Sequence, residues 1–378
     1  MLDDLRRGDI HRTFNRDLQD LYCFYLDDAQ RARLARQPRW RRGLSLIGWL
    51  LRCLVLRLAP VRRLLLLVSF LAVVYGLLRS ADEQGGAAMV YYVLGYAGVL
   101  LTLMLELKDK LLARDELEVG RKVQLALLPD GNPEIDGWDV ALFTRPANDV
   151  GGDLVDDLWV TPTRLGLLLG DVSGKGLGAA LLMAKLQATL RALATEGDTL
   201  AELGRRANLI LCRDGVVGRF ATLVYLELEA GTGTVRLMNA GHLPPLVVRG
   251  GGERPDPPAG TAGATDSGTA GEAVGEARLE AIAAPSPPLG VTPDARFVEQ
   301  EVTLAPGELL CIVSDGVTEA RNAAGDFFGD QRLRELVGAA AGERAEVLCA
   351  RLVAAVDAFS GDARSSDDLS LVVLRRLA

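Results

Sequence analysis

Histidine is nearly absent from this 378-residue chain: there are two, His11 and His242, far apart. Catalysis built on several histidines is therefore excluded. The five cysteines (Cys23, Cys53, Cys212, Cys311 and Cys349) are scattered and form no CxxC pair, so a cysteine-based zinc site is not expected. They read as thiols in a reducing compartment. Lys175, in Ser173-Gly174-Lys175-Gly176, lacks the Gly-x4-Gly-Lys-[Ser/Thr] spacing of a phosphate-binding loop. The first 40 residues are polar and charged, and no secretory signal is expected.

Residues 1–63 contain no lysine and no glutamate; 14 arginines and 7 aspartates give them a charge of +7, and the remainder carries −15. The acidic part disfavours nucleic acid as a partner. The basic front runs straight into apolar sequence, which points to an anionic membrane face. Leu64–Leu78 and Ala87–Leu105 are free of charge, with Arg62, Arg63 and Arg79 flanking the first. A spanning helix needs about 20 residues, and snorkelling arginines extend a shorter run. The two runs read as a helical hairpin with spans at about 61–79 and 87–105, joined by the polar turn Ser80–Gly86. Arginines before it, with Lys108 and Lys110 after it, place both termini in the cytosol. A buried hairpin in a soluble protein is the other reading. Residues 44–59 are apolar but interrupted by Arg52 and Arg57, and read as an interfacial helix. Residues 1–43 form a basic cytosolic segment.

A linker helix is expected over 106–130, ended by Pro129. Leu107, Leu111, Leu125 and Leu128 recur at helical spacing, but Arg114, Glu118 and Arg121 charge the middle of that stripe. The helix either packs on the following domain or pairs with its copy in a homodimer through 105–128.

Beyond Pro129 the pattern changes to short β-rich runs: Val140–Phe143, Leu165–Leu169, Ala221–Leu228, Thr234–Met238, Leu246–Arg249, Phe297–Leu304, Leu309–Val313 and Leu369–Leu374. Helices are expected at Leu177–Ala194, Leu200–Cys212, Gln331–Val337 and Arg344–Phe359. Strands cluster and helices come in blocks, which predicts an α+β domain over 131–378 with antiparallel sheets. Residues 250–278 have almost no bulky apolar side chains and read as a disordered insertion.

Four acidic motifs follow in order: Gly151-Gly152-Asp153, Asp171-Val172-Ser173-Gly174-Lys175-Gly176, Ser314-Asp315-Gly316 and Asp367-Asp368. Each sets a carboxylate at a strand end or tight turn. Hard cations such as Mg²⁺ and Mn²⁺ favour carboxylate, carbonyl and water oxygens, and two of them clamp a phosphoryl group for in-line displacement. Each acid taken singly is a turn former or cap. His242 is either a catalytic acid or a satisfied structural histidine.

Taken in order, these motifs resemble the SpoIIE-like bacterial branch of the PPM family, the metal-dependent serine/threonine protein phosphatases. The resemblance covers about 115–378. It begins at Gln124-Leu125-Ala126-Leu127-Leu128-Pro129 and includes Pro146–Asp153, Asp171–Gly176, Asn239-Ala240-Gly241-His242-Leu243-Pro244-Pro245, Asp315–Ala320 and Asp367–Ser370. It implies an α-β-β-α sandwich of two antiparallel sheets with two Mn²⁺ or Mg²⁺ ions between them. Asp171 would bridge the metals, with the Val172 carbonyl a further ligand. Asp315 and Asp367 would complete one ion and Asp153 would serve the other, with Asp156 and Asp368 supporting them from behind. A metal-bound hydroxide would attack phosphoserine or phosphothreonine. The implied substrate is a phosphorylated signalling protein such as an anti-sigma-factor antagonist. Leu154 and Val155 follow Gly-Gly-Asp where aromatics are common in the family, and Ser173 stands where the eukaryotic branch has histidine. A diguanylate cyclase is a weaker reading of Gly151-Gly152-Asp153, and a catalytically silent membrane scaffold is another alternative.

Overall fold

The computed structural model describes residue 38, residues 45–80 apart from 47, 50, 51 and 54, and residues 85–250, 272–274 and 277–377 apart from 149, 197, 198, 216, 217, 362, 364 and 366. The basic segment 1–43 (residue 38 aside), the turn at 81–84 and most of the 250–278 insertion lie outside the described residues. The chain divides into two compact units, Met1–Ala113 and Arg114–Ala378.

In the first unit, α1 (Pro60–Ser80) begins at a proline, whose missing N–H costs nothing in a first helical turn. It packs antiparallel against the first part of α2 (Gly85–Leu125), a single helix that runs on into the expected linker as far as Leu125. Small residues make the contact. A Cβ on Gly95 would lie 2.5 Å from Val73 Cγ2, and a Cβ on Gly98 would meet the Ser69 hydroxyl. Tyr75 and Tyr91 stack edge to face at 4.7 Å. Arg62 closes the open end on Glu106, at 2.7 Å, and on Asp109. Leu64, Phe70, Leu78, Met89, Leu94 and Leu103 face outward and are exposed.

The second unit is a four-layer sandwich with eleven strands among the described residues. One sheet has the order β1-β11-β10-β6-β8-β7, formed by β1 (Trp138–Arg145), β11 (Leu369–Arg376), β10 (Leu309–Val313), β6 (Leu246–Arg249), β8 (Ala277–Ala281) and β7 (Glu272–Val274). The other runs β2-β3-β4-β5-β9, formed by β2 (Asp153–Thr161), β3 (Arg164–Val172), β4 (Ala221–Glu229), β5 (Thr234–Ala240) and β9 (Glu299–Thr303). All the ladders are antiparallel. The period-two alternation of a strand sorts its side chains between layers. On β3, Leu165, Leu167 and Leu169 fill the space between the sheets, while Leu168 faces the helices α3 (Leu177–Ala194) and α4 (Leu200–Asp214). On β10, Leu310 and Ile312 point inward, whereas Leu309, Cys311 and Val313 face α6 (Gly329–Gly338) and α7 (Ala345–Ser360). A four-residue turn, α5 (Asp315–Thr318), follows β10. Thr199 caps α4 by accepting from the Glu202 N–H at 3.3 Å.

The architecture is the expected α+β sandwich. Three strands are absent from the sequence reading. β2 was not anticipated, because Asp153, Asp156 and Asp157 break its apolar pattern. The sheet also reaches into the segment read as disordered: β8 pairs with β6, and β7 with β8.

Candidate metal centre

The topology brings the four acidic motifs to one end of the sandwich. Asp153 opens β2 and lies in register with Asp171 at the end of β3. In the other sheet, β10 and β11 are antiparallel neighbours, so Asp315, just past β10, meets Asp367 and Asp368, just before β11. Ser314 locks that junction: its N–H donates to the Ser370 carbonyl at 2.9 Å, and its hydroxyl receives the Ser370 N–H at 3.0 Å.

Asp368 joins the two halves. Its carboxylate accepts the N–H of Ala147 at 2.7 Å, Gly152 at 2.6 Å and Asp153 at 3.2 Å. The loop leading to Asp153 thus hangs on a residue of the opposite sheet. A Cβ at Gly151 would collide with that carboxylate. From behind, Gln124 at the end of α2 grips the same glycine: its amide donates to the Gly151 carbonyl and accepts the Gly151 N–H, both at 3.0 Å.

The electrostatics are those of crowded anions. Burial pushes Asp171 up to about 7, with Asp315, Asp367 and Asp368 adding repulsion and Lys175 opposing it. Burial raises Asp153 well above the carboxylate range; Asp171 and Asp368 add to this, and the Ser370 and Ser314 hydroxyls oppose it. Asp315 is raised by burial, Asp367 and Glu319. Asp153 Oδ2 is buried with no hydrogen-bond partner. A buried, unsatisfied carboxylate oxygen among others is costly unless a cation compensates it. A Cβ on Gly152 would press to 3.0 Å on the Val172 carbonyl, so the glycine keeps that oxygen clear. Carboxylates and a bare carbonyl suit a hard divalent cation. Among the described residues, no three histidine, cysteine, aspartate or glutamate side chains converge closely enough to hold one metal as they stand. Adjacent carboxylates repel, and Asp367 is drawn to the Lys175 ammonium at 2.9 Å.

Of the seven residues expected at the site, six gather at this end and Asp156 does not. It lies wholly buried on β2, where Arg191 of α3 grips it with two bonds of 2.7 and 2.6 Å. It anchors a helix, because a buried carboxylate needs a counter-ion and Arg191 supplies one. Reading the sequence quoted Gln124, Ser314 and Ser370 within motifs but gave them no role, because their roles depend on long-range contacts. It also missed Arg219, whose Nη1 donates to the Ser173 carbonyl at 2.7 Å beside the Asp171 turn. A Cβ on Gly174 (φ 99°) would overlap that guanidinium, so the glycine answers both a left-handed backbone and a close approach.

Two antiparallel sheets between helix layers, with acids gathered at one sandwich end, define a PP2C-type fold. The SiaA-PP2C domain of Pseudomonas aeruginosa shares it, with a TM-score of 0.55 at 17% identity over 71% of this chain and 98% of that one. Residues 161–377 match the stage II sporulation protein E (SpoIIE) family, and the chain belongs to it. Among curated relatives, IcfG of a Synechocystis species is 28% identical over 270 residues, covering 64% of this chain and 38% of that protein. Phosphoserine phosphatase RsbP of Bacillus subtilis is 25% identical over 216 residues, covering 56% of this chain and 47% of its own length. The chain thus matches less than half the length of each of these two relatives.

Proposed function

We propose that this chain is a membrane-anchored, metal-dependent phosphatase acting on phosphoserine or phosphothreonine in signalling proteins. The observation that carries the reading is the meeting of Asp153 and Asp171 from one sheet with Asp315, Asp367 and Asp368 from the other, each of the first three raised by burial and by its neighbours. Membership of the SpoIIE family supports it, as does similarity to a relative named as a phosphoserine phosphatase.

Asp153, Asp171, Asp315, Asp367 and the Val172 carbonyl would hold two Mn²⁺ or Mg²⁺ ions. When bound, such ions supply Lewis-acid chemistry, activating water and neutralising phosphoryl oxygens. The protein's own part is placement. Asp368 fixes the Asp153 loop through three amides, and Ser314 holds Asp315 in step with Asp367. Lys175 brings a positive charge to the same edge, where an anionic phosphoryl group would sit.

Three described helices are long and apolar enough to cross a membrane: Pro60–Ser80, Ala88–Leu125 and Leu177–Ala194. In the proposed arrangement only the first two cross the bacterial plasma membrane, with both termini and the phosphatase domain cytosolic. The substrate class is a phosphorylated anti-sigma-factor antagonist or a similar signalling protein. Membrane lipid is a second partner, and a homodimer through 105–128 a third.

The test is hydrolysis of a phosphoserine protein by the purified chain. Chelator is expected to abolish turnover and Mn²⁺ to restore it. Asp171→Asn is expected to lower kcat by about 10³-fold, the scale of losing a principal electrostatic group. Full activity in chelator would overturn the metal reading.

A further inference from the structure

His242 is a second polar tie between the two sheets, near the acids. Its Nδ1 lies 2.8 Å from Thr222 Oγ1, and its Nε2 lies 3.2 Å from the Val313 carbonyl. A carbonyl only accepts, so Nε2 carries the proton and Nδ1 receives the threonine hydroxyl. Those two partners sit at telling places. Thr222 on β4 is in register with Asp171 on β3. Val313 ends β10, two residues before Asp315. One imidazole thus connects the strand beside Asp171 to the strand that delivers Asp315.

The ring has no freedom to leave. Asn239 closes the turn, accepting the His242 N–H at 2.8 Å and donating to the His242 carbonyl at 3.2 Å. Gly241 turns with φ 68°, and a Cβ there would meet the Pro288 ring at 2.6 Å. Burial holds the imidazole down at about 4, so it stays neutral and keeps this bonding pattern at physiological pH.

We infer that His242 is a positioning residue that sets the separation of Asp171 from Asp315, and so the affinity of the centre for its divalent cations. This rests on the proposed metal reading. The ring itself is not placed to touch a phosphorylated substrate, since its two nitrogens are already engaged and the residue is buried.

The test is calorimetric titration of Mn²⁺ into the detergent-solubilised chain, with melting followed in parallel. His242→Phe keeps bulk but loses both bonds. Thr222→Val loses only the hydroxyl that binds Nδ1, and Thr222→Ser retains it. His242→Phe and Thr222→Val are expected to weaken Mn²⁺ binding by about tenfold, the scale on which supporting hydrogen bonds tune metal sites, and Thr222→Ser is expected to bind nearly as wild type. If His242→Phe fails to fold, the valine–serine pair decides alone. Unchanged Mn²⁺ affinity in folded Thr222→Val, even with a lowered melting temperature, would overturn the inference and leave the phosphatase reading standing. Absence of Mn²⁺ binding in the wild type would overturn both, and is recognised before any variant is made.

Discussion

Helices α1 and α3 are both apolar enough to cross a bilayer, and they bury opposite things. In α1 the buried residues are Ser69 and Gly76, while Leu64, Leu67, Leu71, Leu77, Leu78 and Phe70 face out. In α3 the buried residues include Leu182, Met183, Leu186 and Leu190, packed against Leu154, Leu168 and Tyr225 of the sheet. The hydrophobic effect drives large side chains inward in water, as in α3. Between helices in lipid that drive is absent and small residues let backbones approach; Gly95 and Gly98 on α2 are of that kind, which fits the proposed spans. Hydropathy alone cannot separate the two cases. Which residues a helix buries does.

The largest effect should come from placing a charge in each helix. Leu186→Arg buries an unpaired cation against the sheet, and is expected to cost more than about 4 kcal/mol and unfold the sandwich unit. Leu71→Arg in α1 is expected to leave that unit's melting unchanged and to weaken membrane insertion by roughly 2.5–3.5 kcal/mol. Protease resistance of the unit and resistance to alkaline extraction from membranes read the two effects separately. Reversal of the pattern would break the comparison.

A smaller effect tests the polar anchor that marks α3 as a helix of the folded domain. Arg191→Ala strands the buried Asp156 carboxylate, and is expected to destabilise the unit by about 2 kcal/mol, moderated because Arg191 is half exposed. Asp156→Asn with Arg191→Ala should recover part of the loss in a melting experiment. An effect of similar size concerns the end of α2. Gln124→Ala leaves the buried N–H and carbonyl of Gly151 unpaired, at about 1–3 kcal/mol. Gln124→Glu keeps one acceptor and should lie between, measured by hydrogen exchange at Gly151.

Much of the sandwich was legible because its elements carry strong local patterns. Leu177–Ala194 was placed to the residue, and Leu309–Val313 was recognised as an apolar run between turn signals. β2 was not legible, because Asp153, Asp156 and Asp157 look like a loop until Arg191 and the site give the first two partners. Asp156 was misassigned for the same reason: three residues from Asp153 it faces the other side of the strand, which follows only once the segment is known to be one.

The residues themselves determined the charge division of the chain, the apolar runs, and the order of acids at strand ends, since each depends only on neighbours along the backbone. Tertiary structure alone decided that Asp368 carries the Asp153 loop, that Gln124 clamps Gly151, and that one buried imidazole spans the sheets. These contacts join residues 20 to 221 positions apart. Hydrogen bonds of that kind come into being only when two sheets close over a common core, and no pattern read along a single strand can foretell them.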